Sequence, residues 1–258
     1  MIIVRHPAAA IVAYLKADIE SRSEHLRVGP FLMRFDPASE HRFRNYALPL
    51  DRAEPTQHDV HALIRAFAQR QRVPRLEYVP ELAPAVWPAL AAAGFIEESS
   101  LPLMVLGEGG LSRPAESPDY SLEIVTARAD LEDAARVQND AYGEPVTQSA
   151  DVTRLVWLLK RGGAVALARS RTSGEALGAG LYSAPWHQVT EIAAVGVRAS
   201  DRRRGIGACI VAGLTQHALR RGLDRPFLMA ARADEARVYA RVGYVSCARM
   251  LHVATDKA

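Results

Sequence analysis

The residues best suited to chemistry lie between Thr190 and Arg221, in the stretch TEIAAVGVRASDRRRGIGACIVAGLTQHALRR. The apolar run Glu191 to Val197 reads as a strand, Arg198 to Asp201 as a polar turn, and the apolar-periodic segment ending at Arg221 as a helix. Three arginines and two glycines, Arg202 to Gly207, stand between turn and helix. The first turn of a helix has backbone N–H groups without intrahelical partners, and the helix dipole adds partial positive charge there. Gly205 and Gly207 carry no Cβ, so a phosphate can come close to those amides. Guanidinium forks at the mouth suit phosphate oxygens. The arginines alone would read as a solvated turn; with the glycines beside them they read as an anion cradle.

Composition narrows what else the chain can be. Its 258 residues allow one large domain or two small ones. The 32 basic and 29 acidic residues leave a net charge of +3, too balanced for nucleic acid as a main partner but enough to serve a phosphorylated ligand. Cys209 and Cys247 have no metal-type spacing and read as free thiols in a reducing compartment, so no metal is expected. The N-terminus lacks a signal-peptide layout, and no uncharged apolar run reaches about 18 residues, so no membrane partner is expected and the location expected is cytoplasmic.

These chemical residues need elements to hold them. After a strand or loop start, Ile11, Leu15 and Ile19 are spaced for a helix within residues 1–20. Short strands are expected at Phe31 to Phe35 and at His41 to Leu50, where Phe43 and Asn45 alternate. A helix opens at Pro55-Thr56, with Val60, Leu63, Ile64 and Phe67 on one face, and Pro74 stops it. A strand at Leu76 to Val79, a helix at Pro84 to Ala93 stopped by Gly94, and a strand at Phe95 to Leu106 follow. The stretch GEGGLSRPAESPD, Gly107 to Asp119, lacks apolar periodicity and reads as a linker. This gives domains over residues 1–106 and 119–258, joined by 107–118.

The second half starts with a strand at Leu122 to Ala127 and a helix at Leu131 to Tyr142, with Asp130 as its N-cap. A helix at Val152 to Lys160 and a hairpin of Ala164 to Arg169 with Ala176 to Tyr182 come next. A turn at Pro185 to His187 leads into the cradle stretch. A strand at Pro226 to Ala231, a helix at Asp234 to Val242, a stop at Gly243 and a strand at Tyr244 to Val253 close the chain. Both halves thus end in helix, proline, strand, short helix, Gly-aromatic and strand, which reads as an internal duplication. Where the second copy has Arg202 to Gly207, the first has Ala53-Glu54-Pro55-Thr56-Gln57, with no glycine and no arginine cluster.

The second half resembles the GNAT superfamily of acetyl-CoA-dependent N-acyltransferases. Arg202-x-x-Gly205-x-Gly207-Ala208 is similar to the family's pyrophosphate loop, Glu191 to Val197 to the strand before it, and Tyr239-x-x-x-Gly243-Tyr244 to its Tyr-x-x-x-Gly-Phe. Members often carry Asn seven residues before the tyrosine; here Arg232 stands there. The resemblance implies an α/β (α+β) fold of two GNAT-like units, each a mixed, mostly antiparallel sheet flanked by helices, the first a degenerate copy. It implies that Arg202, Arg203, Arg204, Gly205, Ile206, Gly207 and Ala208 hold the pyrophosphate of acetyl-CoA. Gly196 would mark a bulge that splays two strands, with the backbone of Val195 and Val197 meeting the pantetheine arm, although packing alone could also demand this glycine. Tyr239 would be the general acid for the departing thiolate, and Glu191 the general base for the amine.

The activity implied is direct acetyl transfer from acetyl-CoA to a primary amine on a small molecule or peptide, without a covalent enzyme intermediate. A non-catalytic acyl-CoA sensor or partner-binding module, and a transferase of aminoacyl or longer acyl groups, are the alternatives. A homodimer is compatible with the sequence. Trp157 is expected in the core, His187 in a solvated turn, and neither they nor Trp186 and Tyr142 receive a catalytic role.

Overall fold

The computed structural model describes residues 6–37, 39–115, 117–144 and 147–255. The strand or loop start expected over residues 1–5 lies outside them. By compactness the chain divides into a first unit, Met1–Leu103 with Cys247–Ala258, and a second, Met104–Ser246.

In the first unit, α1 (Pro7–Glu20) buries Ala8, Ile11, Leu15 and Ile19 on one face. Strands β1 (His25–Val28), β2 (Phe31–Arg34) and β3 (Tyr46–Pro49) form an antiparallel meander. Helix α2 (Gln57–Ala68), strand β4 (Arg75–Tyr78), helix α3 (Val86–Ala92) and strand β5 (Phe95–Leu106) follow. Two details differ from the sequence expectation. Strand β1 was not foreseen, because its alternation of Leu26 and Val28 with His25 and Arg27 spans only four residues, too short a run to stand out. Of His41 to Leu50, only Tyr46–Pro49 is strand, and Arg42–Arg44 is a 3₁₀ turn. The buried Asn45 amide donates to the carbonyls of Ser39 (2.8 Å) and His41 (3.0 Å), and this local bonding competes with a ladder.

In the second unit, β6 (Tyr120–Val125), α4 (Arg128–Tyr142) and α5 (Ser149–Lys160) precede the hairpin of β7 (Ala164–Ser170) and β8 (Ala176–Tyr182). Strand β9 (Val189–Val197), helix α6 (Ile206–Arg220), β10 (Arg225–Met229) and α7 (Ala233–Val242) complete it. The strand order is β10-β9-β8-β7-β6, with β10 and β9 parallel and the other neighbours antiparallel. Helix α6 covers one face through Ile206, Ile210, Leu214 and Ala218. Helices α4 and α5 cover the other through Leu131, Ala134, Ala135, Val152 and Leu155. Asp130 is not the cap of α4: Ala127 is, and Asp130 lies in the first turn, accepting from Arg169 Nη2 at 2.6 Å. A carboxylate suits either place, so sequence alone misjudged the start by one short step.

The last strand, β11 (Tyr244–Thr255), changes units along its length. Its residues Leu251–Ala254 pair antiparallel with Tyr78–Arg75 of β4, and the first unit has the order β1-β2-β3-β4-β11-β5. The expected domain of 119–258 therefore follows the sequence, whereas the end of β11 packs Leu251 and Val253 into the first unit's core. Apolar alternation marks a strand but not its partner, since ladder bonds use backbone groups common to every strand.

Candidate functional site

Strands β9 and β10 are in parallel register only over Val189–Glu191 with Arg225–Phe227. Beyond Glu191, β9 continues for six residues beside β8, and no register with β10 accompanies it. The pair therefore opens like a wedge from Glu191 toward Val197. The irregularity that turns β9 lies opposite Gly180: Ala179 faces Gly196 but Leu181 faces Ala193, so Ala194 and Val195 together oppose one residue. This is a β-bulge, and Ala194 carries it with φ of +51°, a conformation unfavourable for a residue with a Cβ.

Gly196, read from sequence as the bulge marker, has a different task. A Cβ there would lie 2.8 Å from Cβ of Ala141 on α4, so the glycine lets helix and strand approach. Two α4 side chains secure the bulge. Gln138 Nε2 donates to the Ala194 carbonyl at 2.8 Å, and the Tyr142 hydroxyl donates to the Val195 carbonyl at 3.2 Å. Ala134, Gln138 and Tyr142 recur every four residues, which aligns them on one helix face. Neither side chain entered the sequence reading as a site residue; the available signal was an amide in the middle of an otherwise apolar helix face. The carbonyls of Val195 and Val197 already accept protein hydrogen bonds, the latter from Arg202 Nε at 3.2 Å.

The cradle has the geometry of an anion site. Arg203 and Gly205 both have left-handed backbone, with φ of +65° and +82°. Such local reversals turn successive N–H groups toward one side. Gly205 is the N-cap of α6, no side chain caps it, and no acidic residue stands in the first turn. Cys209 N donates to Gly205 O at 3.0 Å, so intrahelical bonding begins there and leaves the preceding amides of Ile206, Gly207 and Ala208 facing outward. A Cβ placed on Gly207 would meet nothing nearer than Val197 Cγ2 at 3.9 Å. The space in front of these amides is open to a phosphate-sized group.

The three arginines differ in availability. Arg202 braces the loop, donating to Val197 O and, through Nη2, to Ala141 O at 3.2 Å. Arg204 pairs with Asp201 at 2.6 Å and faces Asp119 at 3.6 Å. Arg203 is exposed, and among the described residues nothing pairs with it. Its guanidinium is available to a ligand, whereas that of Arg202 is held by backbone carbonyls.

Tyr239, on α7, is 8% exposed and packs in the core beneath α6. Burial, with Glu235 and Tyr142 adding to it, raises its pKa well above the ordinary tyrosine value, so the phenol keeps its proton at neutral pH. Tyr142 is 57% exposed as a whole residue, but desolvation around its hydroxyl pushes it up to about 12, with Glu235 raising it further and Arg232 opposing. Tyr142, Tyr239 and Glu235 thus share one neighbourhood, and Glu235 is a member that sequence reading missed. Glu235 accepts from Ala231 N at 2.9 Å and pairs with Arg232 at 2.8 Å. Arg232 is the N-cap of α7 and also pairs with Asp234. Glu191 is half-buried at the apex of the wedge, where its backbone carbonyl accepts from Ser183 N at 2.8 Å.

Trp157, expected in the core, is 44% exposed, with the Arg161 guanidinium 4.4 Å from its ring centroid. Its helix turns Val152 and Leu155 inward, and residue 157 falls on the opposite side. His187 is exposed in its turn, against Trp186. Cys209 and Cys247 are not joined in a disulfide, and among the described residues no group of three or more His, Cys, Asp or Glu could hold a metal. Among the same residues no helix is long and apolar enough to cross a membrane.

Residues 131–244 match the acetyltransferase (GNAT) family, a span that runs from within α4 to the end of α7 and so includes the wedge, the cradle and Tyr239. No curated protein matches the chain. Among solved structures, it is similar to a GCN5-related N-acetyltransferase from Kribbella flavida, with a TM-score of 0.80 and 23% identity over 97% of this chain and 96% of that one. A GCN5-related N-acetyltransferase from Sphaerobacter thermophilus gives a TM-score of 0.68 and 14% identity over 93% and 83% of the two chains. A tandem GNAT protein from the clavulanic acid biosynthesis pathway gives 0.61 and 12% over 88% and 79%. At these identities the structural likeness establishes a shared fold.

Proposed function

We propose that the second unit transfers an acetyl group from acetyl-CoA to a primary amine. One observation carries this reading above the others: the β9–β10 wedge opens beside an uncapped helix N-terminus whose first-turn amides face open space. A long ligand with a diphosphate at one end and a reactive group at the other matches that layout. The match of residues 131–244 to the acetyltransferase family supports acyl transfer as the chemistry.

In this reading the amides of Arg203 to Ala208 take the diphosphate oxygens, and Arg203 adds its unpaired charge. The backbone of Val195 to Val197, held by Gln138 and Tyr142, lines the pantetheine arm. The acceptor amine must lose a proton before it attacks the thioester carbon. Glu191 is the group at the apex that can receive that proton, directly or through water. The amine adds to the thioester carbonyl to give a tetrahedral intermediate, which collapses with loss of the C–S bond, and the departing thiolate takes a proton from the Tyr239 hydroxyl. Burial keeps this phenol protonated at neutral pH and so present as a donor, while making it a weaker acid than an ordinary tyrosine. The first unit, which lacks the cradle, is read as a degenerate copy with a structural part.

The acceptor is an amine of a metabolite or peptide. An acetyl-CoA turnover screen across amine classes, following thiol release, tests the reading. Turnover on at least one class, lost when the cradle is blocked, is expected. Tight acetyl-CoA binding with no turnover on any amine would instead make the unit an acyl-CoA sensor, and faster turnover with longer acyl donors would reassign the donor.

A further inference from the structure

We propose that Gln138 is a positioning residue: by holding Ala194 in a left-handed conformation, it makes the opening of the β9–β10 wedge conditional on helix α4. The proposal rests on the reading of that wedge as the acetyl-CoA site.

The side chains of β9 show what the bulge does. Ile192 packs on the α6 side, Ala193 and Ala194 both pack on the α4 side, and Val195 and Val197 return to the α6 side. Two successive residues on one face break the alternation of a regular strand. The break sends Gly196 toward α4, where a Cβ would lie 2.8 Å from Ala141 Cβ. Were Ala194 extended, the alternation would run on unbroken and turn Val195 toward α4 in place of Gly196. At the position Gly196 holds, α4 leaves no room even for a Cβ. The bulge therefore decides which β9 side chains and which backbone groups face the wedge.

A bulge with a left-handed residue usually has glycine there. Here alanine carries it, at φ of +51°, where a Cβ is crowded by the backbone. The compensation comes from Gln138, which is 4% exposed and whose Nε2 donates to the carbonyl of Ala194 itself at 2.8 Å. The net gain of one hydrogen bond and the cost of a left-handed alanine are of like size, so the bond can decide the conformation. Tyr142 acts one residue further on: its hydroxyl donates to Val195 O, and Val195 carries no positive φ. Gln138 lies in the C-terminal half of α4, so a displacement of that part of the helix takes the clamp with it. With glycine at 194 the bulge would stand unaided; with alanine it depends on α4.

The test is a double-mutant cycle between positions 138 and 194. Gln138→Met keeps the length and helix preference of the side chain and removes the donor. It should raise the acetyl-CoA Kd by at least about fivefold in calorimetry, and KM in parallel, with a smaller change in kcat. Adding Ala194→Gly, which removes the backbone penalty, should return Kd to within about twofold of wild type. A side chain that only fills space predicts the reverse, because glycine then adds a loss of its own. Tyr142→Phe combined with Ala194→Gly should show no rescue. Without ligand, the Ala194 ¹³C shifts report its φ by NMR and should leave the left-handed range in Gln138→Met. A wild type that does not bind acetyl-CoA would defeat the acetyl-CoA reading and leave those shifts to decide the clamp. Should Gln138→Met unfold, the cycle is read on thermal stability, which Ala194→Gly should restore. Unchanged Ala194 shifts in Gln138→Met, additive losses in the cycle, or equal rescue of Tyr142→Phe overturn the proposal.

Discussion

Two helices of this chain start in the same place within matching runs of elements, and they end up with opposite chemistry. Helix α2 follows β3 and leads to β4, α3 and β5; helix α6 follows β9 and leads to β10, α7 and β11. Both β3–β4 and β9–β10 are parallel pairs with short register. At α2 the protein supplies its own anion. Asp59 accepts from Thr56 N at 2.9 Å and from Thr56 Oγ1 at 2.6 Å, while Thr56 Oγ1 caps Asp59 N at 3.2 Å. Hydrogen bonds from Thr56 hold the Asp59 carboxyl below its ordinary pKa, so it is ionised throughout the neutral range. At α6, Gly205 supplies no capping group and the first turn has no acidic residue. One helix N-terminus is closed by a carboxylate on its own chain; the other is left for a carboxylate or phosphate from elsewhere.

The strongest way to break this comparison is to close α6. Gly207→Val should leave the fold intact, because its Cβ meets no protein atom within 3.9 Å. The added methyls would occupy the approach to the first-turn amides. Acetyl-CoA affinity should fall by more than about tenfold, or about 1.4 kcal/mol, by calorimetry, with thermal unfolding little changed. Unchanged affinity would mean the cradle is not the anion site.

Next in size is Tyr239→Phe. A general acid typically contributes about 10²- to 10⁴-fold, so kcat should fall by about a hundredfold while the acetyl-CoA Kd holds. The pH profile sharpens the test. Because the Tyr239 pKa is raised, loss of its proton can depress the wild-type rate only above the ordinary tyrosine range. Full kcat in Tyr239→Phe across pH would remove the residue from the chemistry.

How much of this was legible depends on whether a residue's type states its job. The cradle was readable because glycine at a helix start beside arginine is itself the mechanism, and the spacing to Tyr239 added a second reference point. The α2 cap was readable as a helix start at Pro55-Thr56, although Asp59 as the occupant of that site emerged only from geometry. The bulge was not readable in place. Ala194 carries the positive φ, nothing about alanine announces it, and the glycine beside it is explained by Ala141. Gln138 and Tyr142 act across more than fifty residues of sequence, and the end of β11 pairs with β4 from the far half of the chain. Partners at such distances leave no mark in local periodicity.

The arginines sharpen the comparison further: among the described residues Arg202 bonds backbone carbonyls, Arg204 pairs with carboxylates, and nothing pairs with Arg203. Arg203→Gln should weaken acetyl-CoA binding by up to about fivefold, the scale of an exposed ion pair, and should flatten its salt dependence. Arg204→Gln, already paired with Asp201 and Asp119, should change binding less than Arg203→Gln does. An equal loss from both would mean that loop charge as a whole, rather than the unpaired guanidinium, attracts the ligand.

The smallest expected effect on the ligand comes from α2 and is the control for all the others. Thr56→Ala removes the hydroxyl that caps Asp59 N and donates to its carboxylate, and loss of such a cap typically costs about 0.5–2 kcal/mol of stability. Denaturant unfolding should register that cost as a lower midpoint with an unchanged slope. Acetyl-CoA affinity should stay where it was, because uncapping α2 exposes amides without supplying the rest of a cradle. The turn before α2 has Glu54 and Pro55 where the other has arginines, and the Asp59 carboxylate remains beside Gly29, where a Cβ would lie 2.5 Å from Oδ1. A gain of acetyl-CoA binding on Thr56→Ala would show that the cap alone keeps the first copy silent. Unchanged binding with lowered stability would place the difference in the whole loop, where glycines and an unpaired arginine have to occur together.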